Sequence, residues 1–152
     1  LASMTSATPK IANYKFTTLN PNLGVAVYDD KEITLADIPG LIEGAHSGVG
    51  LGIKFLKHIE RCKTLLHLID INEEDLVSSY KQVRNELKSY GKELIKKKEI
   101  IVFNKIDLLQ KNNIDKKVKD FEIKIKKKTF KMSTIQSKSV SNIKSKLINY
   151  VS

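Results

Sequence analysis

Four consecutive residues, Asn104-Lys105-Ile106-Asp107, have the types and the order of a base-reading site. An aspartate in this N-K-x-D arrangement can accept hydrogen bonds from both N1–H and the exocyclic amine of guanine. Adenine lacks that pair of donors, so such a site leaves a buried carboxylate unsatisfied with adenine nucleotides. The asparagine can tie loops together and contact the base, and the lysine stem can lie over the face of the base. The alternative interpretation is a strand end followed by a helix cap.

A second pattern, Asp37-Ile38-Pro39-Gly40, matches D-x-x-G and follows the short β-rich run Ile33–Ala36. Its carboxylate can approach Mg²⁺ through a water molecule, and its glycine amide can reach a γ-phosphate. One aspartate is sufficient, because Mg²⁺ prefers few protein ligands and keeps several of its waters. The four letters alone are weak evidence. Their place upstream of Asn104, with a strand–helix–strand pattern between, is much stronger evidence for a nucleotide site.

Two further segments complete this order. Phe16-Thr17-Thr18 lies upstream of the D-x-x-G pattern, where a threonine can place its hydroxyl on Mg²⁺ and its amide on the γ-phosphate of a nucleotide. Ser133-Thr134-Ile135 ends the last predicted strand, where a backbone amide can contact the guanine carbonyl. Four such segments in this order, each at a strand end or in a loop, favour one guanine-nucleotide site.

Hydrophobic periodicity predicts strands that alternate with helices, and hence an α/β fold with a mostly parallel sheet. Ligands of such sheets bind at the carboxyl ends of the strands, where these motifs fall. His67 lies inside a buried strand and is expected to be a satisfied core histidine. The predicted strands are Val25–Tyr28 and Ile33–Ala36, joined by a turn at Asp29-Asp30-Lys31, then Thr64–Ile69, Glu99–Phe103 and Thr129–Ser133. The predicted helices are Ile53–Arg61, a long amphipathic helix from Leu76 to Leu94, Ile114–Phe121 and Ser139–Tyr150.

Composition limits the class of protein. The chain has 152 residues, of which 41% are hydrophobic, enough for one domain with one core. It has no apolar run of about 20 residues, so no membrane span is expected. The single cysteine, Cys62, fits a reducing cytoplasm. The net charge of +10 fits a nucleic-acid partner, but only Arg61 and Arg84 are arginines, and a compositionally biased genome also produces lysine-rich chains.

Longer segments resemble the Obg family of GTPases. These are Lys10–Gly24, Asp37–Gly52 and Phe55–Arg61, and together with Asn104–Asp107 they span most of the chain. The resemblance implies a P-loop NTPase-type GTPase domain that hydrolyses GTP to GDP in the cytoplasm and requires Mg²⁺. It also implies a role in assembly of the large ribosomal subunit, with ribosomal RNA and ribosomal proteins as partners. We expect a monomer.

The family pattern assigns roles to individual positions. Thr18 would ligate Mg²⁺. The position after D-x-x-G is Leu41, where Ras-like enzymes carry a water-orienting glutamine. Because leucine cannot orient water, no catalytic side chain is predicted and slow turnover is expected. The nucleotide contacts would be Phe16, Thr17, Thr18, Leu19 and Asn20; Asp37, Ile38, Pro39 and Gly40; Asn104, Lys105, Ile106 and Asp107; and Ser133, Thr134 and Ile135.

The sequence also departs from the family pattern. Thr134 stands where alanine is usual, and a phosphate loop, G-x-x-x-x-G-K-[ST], is expected just before Leu1. Leu1–Ala7 resembles the second half of a helix. We therefore expect residues 1–152 to form a single Obg-type G domain that lacks its first strand and phosphate loop, with impaired nucleotide binding. The alternative is a non-catalytic basic module that binds the ribosome or RNA, or a decayed GTPase fragment.

Overall fold

The computed structural model describes residues 1–5, 10–11, 22–37 and 60–151. Within these residues the strands are β1 (Lys10–Ile11), β2 (Asn22–Tyr28), β3 (Lys31–Ala36), β4 (Thr64–Asp70), β5 (Lys98–Asn104) and β6 (Thr129–Lys131). The α-helices are α1 (Leu76–Tyr90), α2 (Lys111–Ile125) and α3 (Ser137–Val151), and short 3₁₀ helices cover Ala2–Met4, Leu94–Lys96 and Ile106–Leu108. The predicted helix Ile53–Arg61 lies outside the described residues except for its last two.

The first sheet is antiparallel, in the order β1-β2-β3. Tyr28 pairs with Lys31, so Asp29 and Asp30 alone form the connecting turn. Both aspartates have positive φ, at 52° and 58°. This is the geometry of a two-residue type I′ turn, whose twist matches that of the flanking strands. The predicted hairpin is confirmed, with Lys31 in the strand rather than in the turn.

The second sheet is parallel, in the order β4-β5-β6. Helix α1 connects β4 to β5, and α2 connects β5 to β6. Asp70 and Asn104, the last residues of β4 and β5, pair in register. The predicted mixed α/β fold with a parallel sheet flanked by helices is confirmed. Among the described residues β3 and β4 do not pair with each other, so each keeps one free edge.

Helix α1 shows how local chemistry sets an element's ends. The carboxylate of Asp75 accepts hydrogen bonds from the amides of Val77 and Ser78 and so caps the first turn. The prediction that this helix continues to Leu94 is wrong, because it ends at Tyr90 and the chain leaves it in an extended conformation at Gly91. Leu94 is instead buried in a separate 3₁₀ turn.

Two other helix predictions differ from the structure. Helix α2 covers fifteen residues, several more than the predicted Ile114–Phe121. The start of the chain is a 3₁₀ turn at Ala2–Met4 rather than the end of an α-helix, because Thr5 is already extended.

The core occupies both faces of the parallel sheet. Ile100 and Val102 of β5 point toward α3, whereas Ile101 and Phe103 point toward α1 and α2. All four are buried, which confirms the prediction for this strand. For β4 the prediction of burial on both faces is wrong at one position, since Leu68 is 47% exposed. No helix in the described ranges is long and apolar enough to span a bilayer.

Candidate functional site

The N-K-x-D residues lie at the carboxyl edge of the parallel sheet. Strand β5 ends at Asn104, and Lys105 adopts a left-handed conformation, with φ of 61°, that turns the chain sharply into the 3₁₀ helix Ile106–Leu108. The amide of Ile106 donates to the carbonyl of Met132, just beyond β6. The segment is therefore held against the end of the neighbouring strand.

Asp107 and Ser133 form the central contact of the site. The Ser133 hydroxyl donates a short hydrogen bond to Oδ1 of Asp107. Ser133 is completely buried, and its amide donates to the Ser139 hydroxyl at the start of α3, at 2.9 Å. Asp107 is otherwise exposed. The structure thus joins two motifs that are far apart in the sequence and leaves carboxylate surface available to a ligand.

Asn104 presents an unsatisfied buried acceptor. Its side-chain Oδ1 has no hydrogen-bond partner among the described residues. A buried polar atom without a partner costs on the order of 1–3 kcal/mol. Its backbone carbonyl accepts from the amide of Ile71 at 3.1 Å, so the strand end itself is fixed. This oxygen can therefore accept a hydrogen bond from a loop or from a ligand.

Lys105 is held by Asp70, a residue that sequence reasoning assigned only to a strand end. The Lys105 ammonium donates to Oδ2 of Asp70 at 2.6 Å. Oδ1 of Asp70 accepts from both the backbone amide and the side-chain amide of Asn72, at 3.0 and 2.7 Å. An aspartate at a strand's carboxyl end, followed two residues later by asparagine, was the signal that could have identified this contact.

Asp70 and Lys105 shift each other's pKa toward the charged form. The hydrogen bond and the negative charge of Asp70 raise the pKa of Lys105. Burial raises the pKa of Asp70, but hydrogen bonds from Lys105 and Asn72 outweigh it, so the pKa of Asp70 is lowered. Both groups are charged at neutral pH. Since the ammonium is exposed, the contact orients Lys105 more than it stabilises the fold.

The two predicted contacts that follow Ser133 lie in an exposed turn. Thr134 and Ile135 follow Ser133 in a turn closed by the Gln136 amide on the Ser133 carbonyl, at 3.1 Å. Both side chains are exposed, Ile135 by 77%. These two residues therefore offer their backbone, rather than packed side chains, to a ligand.

The phosphate-side predictions fall largely beyond the described residues. Phe16–Asn20 and Ile38–Gly40 lie outside them. Asp37 follows β3 directly, and its side chain is exposed. A single accessible carboxylate fits Mg²⁺, which keeps most of its waters. Within the described ranges no three His, Cys, Asp or Glu side chains come together as a metal site.

Comparison with known proteins decides the family. Residues 1–105 match the model of the family described as 50S ribosome-binding GTPase. The chain belongs to this GTPase family. The chain is 67% identical over 152 residues to GTPase Obg of Pelagibacter ubique. The matched region covers all of this chain and 46% of that protein. It is 54% identical over 151 residues to GTPase Obg of Ehrlichia chaffeensis, covering 99% of this chain and 44% of that one.

These relatives confirm the resemblance to Obg GTPases. The chain spans less than half the length of the relatives that it matches. Among solved structures, it resembles the cytosolic domain of the T. maritima FeoB iron transporter in its GMPPNP form, with a TM-score of 0.68 and 18% identity over 98% of this chain and 56% of that one. The G domain of the same transporter gives a TM-score of 0.65 at 19% identity, covering 99% and 88%. At such identity the comparison with these structures shows a shared fold alone.

Proposed function

We propose that residues 1–152 form the guanine-reading part of an Obg-type GTPase that binds GTP and GDP and hydrolyses GTP to GDP. The whole protein would act in the cytoplasm, as a monomer, in assembly of the large ribosomal subunit. The contact between Asp107 and Ser133 carries this proposal. It links the two base-side motifs, and the unsatisfied oxygen of Asn104 belongs to the first of them.

The base-side residues would act as follows. The Asp107 carboxylate accepts from N1–H and the amine of guanine, while Ser133 fixes its rotation. Because the serine is buried and held in turn by Ser139, the carboxylate is oriented before the base arrives. A preorganised acceptor pair discriminates strongly, because a base that lacks the donors leaves the acceptors unpaired. The stem of Lys105 would lie over the base, held at its ammonium by Asp70.

The phosphate side would be served by Phe16–Asn20 and Asp37–Gly40. Mg²⁺, when bound, neutralises phosphate charge, and Thr18 and Asp37 would hold it, Asp37 through water. The sequence contains no G-x-x-x-x-G-K-[ST] run. We infer that a phosphate loop and first strand belong to a longer protein. The free edges of β3 and β4 among the described residues support this idea, since each edge could pair with a further strand.

Substitution of Asp107 tests the base assignment. In the full-length gene product, Asp107→Asn is expected to lower GDP affinity by on the order of 100-fold and to raise affinity for xanthosine diphosphate, in which an exocyclic carbonyl oxygen replaces the amine of guanine. Competition binding with GDP, XDP and ADP measures the ranking. Asp120→Asn, which removes an exposed carboxylate on α2, is the matched control and is expected to leave the ranking unchanged. An unchanged ranking in Asp107→Asn would contradict the assignment.

A second function is favoured by one observation, the net charge of +10. A basic module could bind the ribosome without hydrolysing GTP. Nucleotide binding, measured together with sedimentation on large ribosomal subunits, separates the two functions. A full-length protein that sediments with large subunits yet binds neither GDP nor GTP would support the module and exclude the GTPase.

A further inference from the structure

More than half of the net charge of the chain lies in one segment, Lys111–Lys131. It contains nine lysines and three acidic residues, which gives +6 of the total +10. The segment comprises α2, the turn after it, and β6. A compositional bias spread evenly along the chain would not concentrate charge in this way.

Three of these lysines hold the segment in place. The Lys117 ammonium donates to the carbonyls of Ile71 and Glu73, each at 2.9 Å. Lys127 pairs with the buried Glu99 at 2.8 Å, and Lys131 pairs with Asp115 on α2 at 2.8 Å. These contacts use the cations internally, so they are not available to a partner.

Five of the six other lysines in the segment, those between Lys116 and Lys128, are exposed on α2 or in the turn that follows it. Lys116, Lys119 and Ile123 share the outer face of α2 by helical spacing, opposite the buried Ile114 and Phe121. Ile123 is 64% exposed. We call this the α2 basic surface, and its cations are all exposed, with no hydrogen bond or ion pair to any described residue: Lys116, Lys119, Lys124, Lys126 and Lys128.

We propose that the α2 basic surface binds the phosphate backbone of double-stranded RNA. Lysine is a compact point charge that suits phosphate, whereas base-specific contacts favour the planar fork of arginine. The surface holds neither arginine nor aromatic side chains, so it lacks the stacking platform that single-stranded RNA requires. Helix α2 is about 22 Å long, and duplex RNA presents phosphates and 2′-hydroxyls along a comparable path.

This assignment rests on the ribosome-facing part of the proposed function and does not involve the guanine site. The test is fluorescence anisotropy of the chain with an RNA duplex of about 20 base pairs, from about 50 to about 200 mM salt. With five phosphate contacts, log K is expected to fall with log salt at a slope of about −4, a loss of roughly 300-fold over that range. Replacing all five surface lysines with glutamine is expected to abolish most of this slope.

A matched variant controls for total charge. Glutamine at Lys31, Lys63, Lys81, Lys88 and Lys138 removes the same charge from exposed positions elsewhere and is expected to cost about a tenth as much affinity. Glutamine keeps the helix propensity of lysine, and thermal melts verify folding. Lys116→Gln alone, expected to reduce the slope by about 1, serves if the fivefold variant does not fold.

Three outcomes would overturn the assignment. One is equal loss in both fivefold variants, which would make the effect one of net charge. The second is tighter binding to single-stranded polyuridine than to the duplex. The third is tighter binding to vesicles that contain anionic phosphatidylserine. GDP affinity of the full-length protein is expected to be the same with and without the five substitutions, so failure here is distinguishable from failure of the guanine assignment.

Discussion

At the scale of single residues, the proposed guanine site depends on side chains that hold other side chains in place. Ser133 orients Asp107, and Asp70 orients Lys105. Neither supporting residue needs to touch the base. Both sit at or just beyond the ends of parallel strands, where backbone hydrogen bonds already restrict their position. Because rigid backbone carries the supporting groups, small changes at them are expected to affect binding.

Asp70→Asn is expected to weaken GDP binding by the full-length protein about 5- to 20-fold. The amide keeps the shape but loses the charge that holds the Lys105 ammonium, and a hydrogen bond to a charged group contributes about 1.5–3 kcal/mol at most. Isothermal titration with GDP measures the loss. In a Lys105→Met background, Asp70→Asn is expected to have almost no further effect. Additive losses in the double variant would show that Asp70 does not act through Lys105.

At the scale of elements, a buried carboxylate ties together four parts of the fold. The side chain of Glu99, at the start of β5, is only 2% exposed. Its Oε1 faces His67 of β4 at 3.1 Å and Arg84 of α1 at 3.6 Å. The latter distance allows an ion pair but no hydrogen bond. Its Oε2 accepts from Tyr80 and Lys127, at 3.0 and 2.8 Å. The expectation of a satisfied core histidine at His67 is confirmed.

This cluster makes stability depend on pH. Burial raises the pKa of Glu99, but hydrogen bonds from His67 and Lys127 and the charge of Arg84 outweigh it and lower the pKa from 4.5 to about 2. The folded state therefore binds the proton less tightly than the unfolded state. The resulting stabilisation, roughly 3 kcal/mol, is present above pH about 4.5 and is lost as the pH falls toward 2.

Glu99→Gln is expected to lower the free energy of unfolding by about 3 kcal/mol at pH 7, since it leaves Arg84 and Lys127 without their partner. Urea titrations at pH 7, 4 and 3 are expected to show that the difference in the free energy of unfolding between variant and wild type becomes smaller as the pH falls. Glu93→Gln breaks the exposed ion pair with Lys96 and is expected to cost less than about 1 kcal/mol at every pH. A Glu99→Gln deficit that stayed constant with pH would contradict the charge explanation.

At the scale of the whole molecule, packing links the two sheets, which share no backbone hydrogen bonds within the described part of the chain. Helix α3 contacts β2 and β3 of the antiparallel sheet and also packs on β5 of the parallel one. Met4 inserts into the same cluster. Among the described residues β3 and β4 each keep a free edge, and Leu68 of β4 is exposed, so each sheet could accept a further strand.

Residues 1–152 alone are expected to bind GDP at least about 100-fold more weakly than the full-length protein, because the loss of several hydrogen bonds to phosphate costs about 1.5–3 kcal/mol each. No GTP hydrolysis above background is expected from the short chain. Calorimetric titration of both proteins with GDP and magnesium-GTP, together with melting curves, measures the difference. Equal affinities, with a cooperative melt of the short chain shifted upward by nucleotide, would show that residues upstream contribute little.

The sequence by itself determined the α/β fold, the apolar strands Thr64–Ile69 and Glu99–Phe103 to within a residue at each end, the hairpin turn and the N-K-x-D motif. These follow from local patterns: a run of apolar residues, a pair of aspartates between strands, and four residues in a fixed order. Periodicity predicted too long a helix after Asp75. The apolar spacing continues beyond Gly91, but the helical backbone conformation ends before it.

Only the tertiary structure decided which distant residues meet. Ser133 reaches Asp107, Lys105 reaches Asp70, and Glu99 is buried among His67, Arg84 and Lys127. No local pattern encodes these contacts, because each one joins separate elements through strand register and helix packing. The sequence shows which charges exist, whereas the packing decides which are neutralised inside and which remain on the α2 basic surface for a partner.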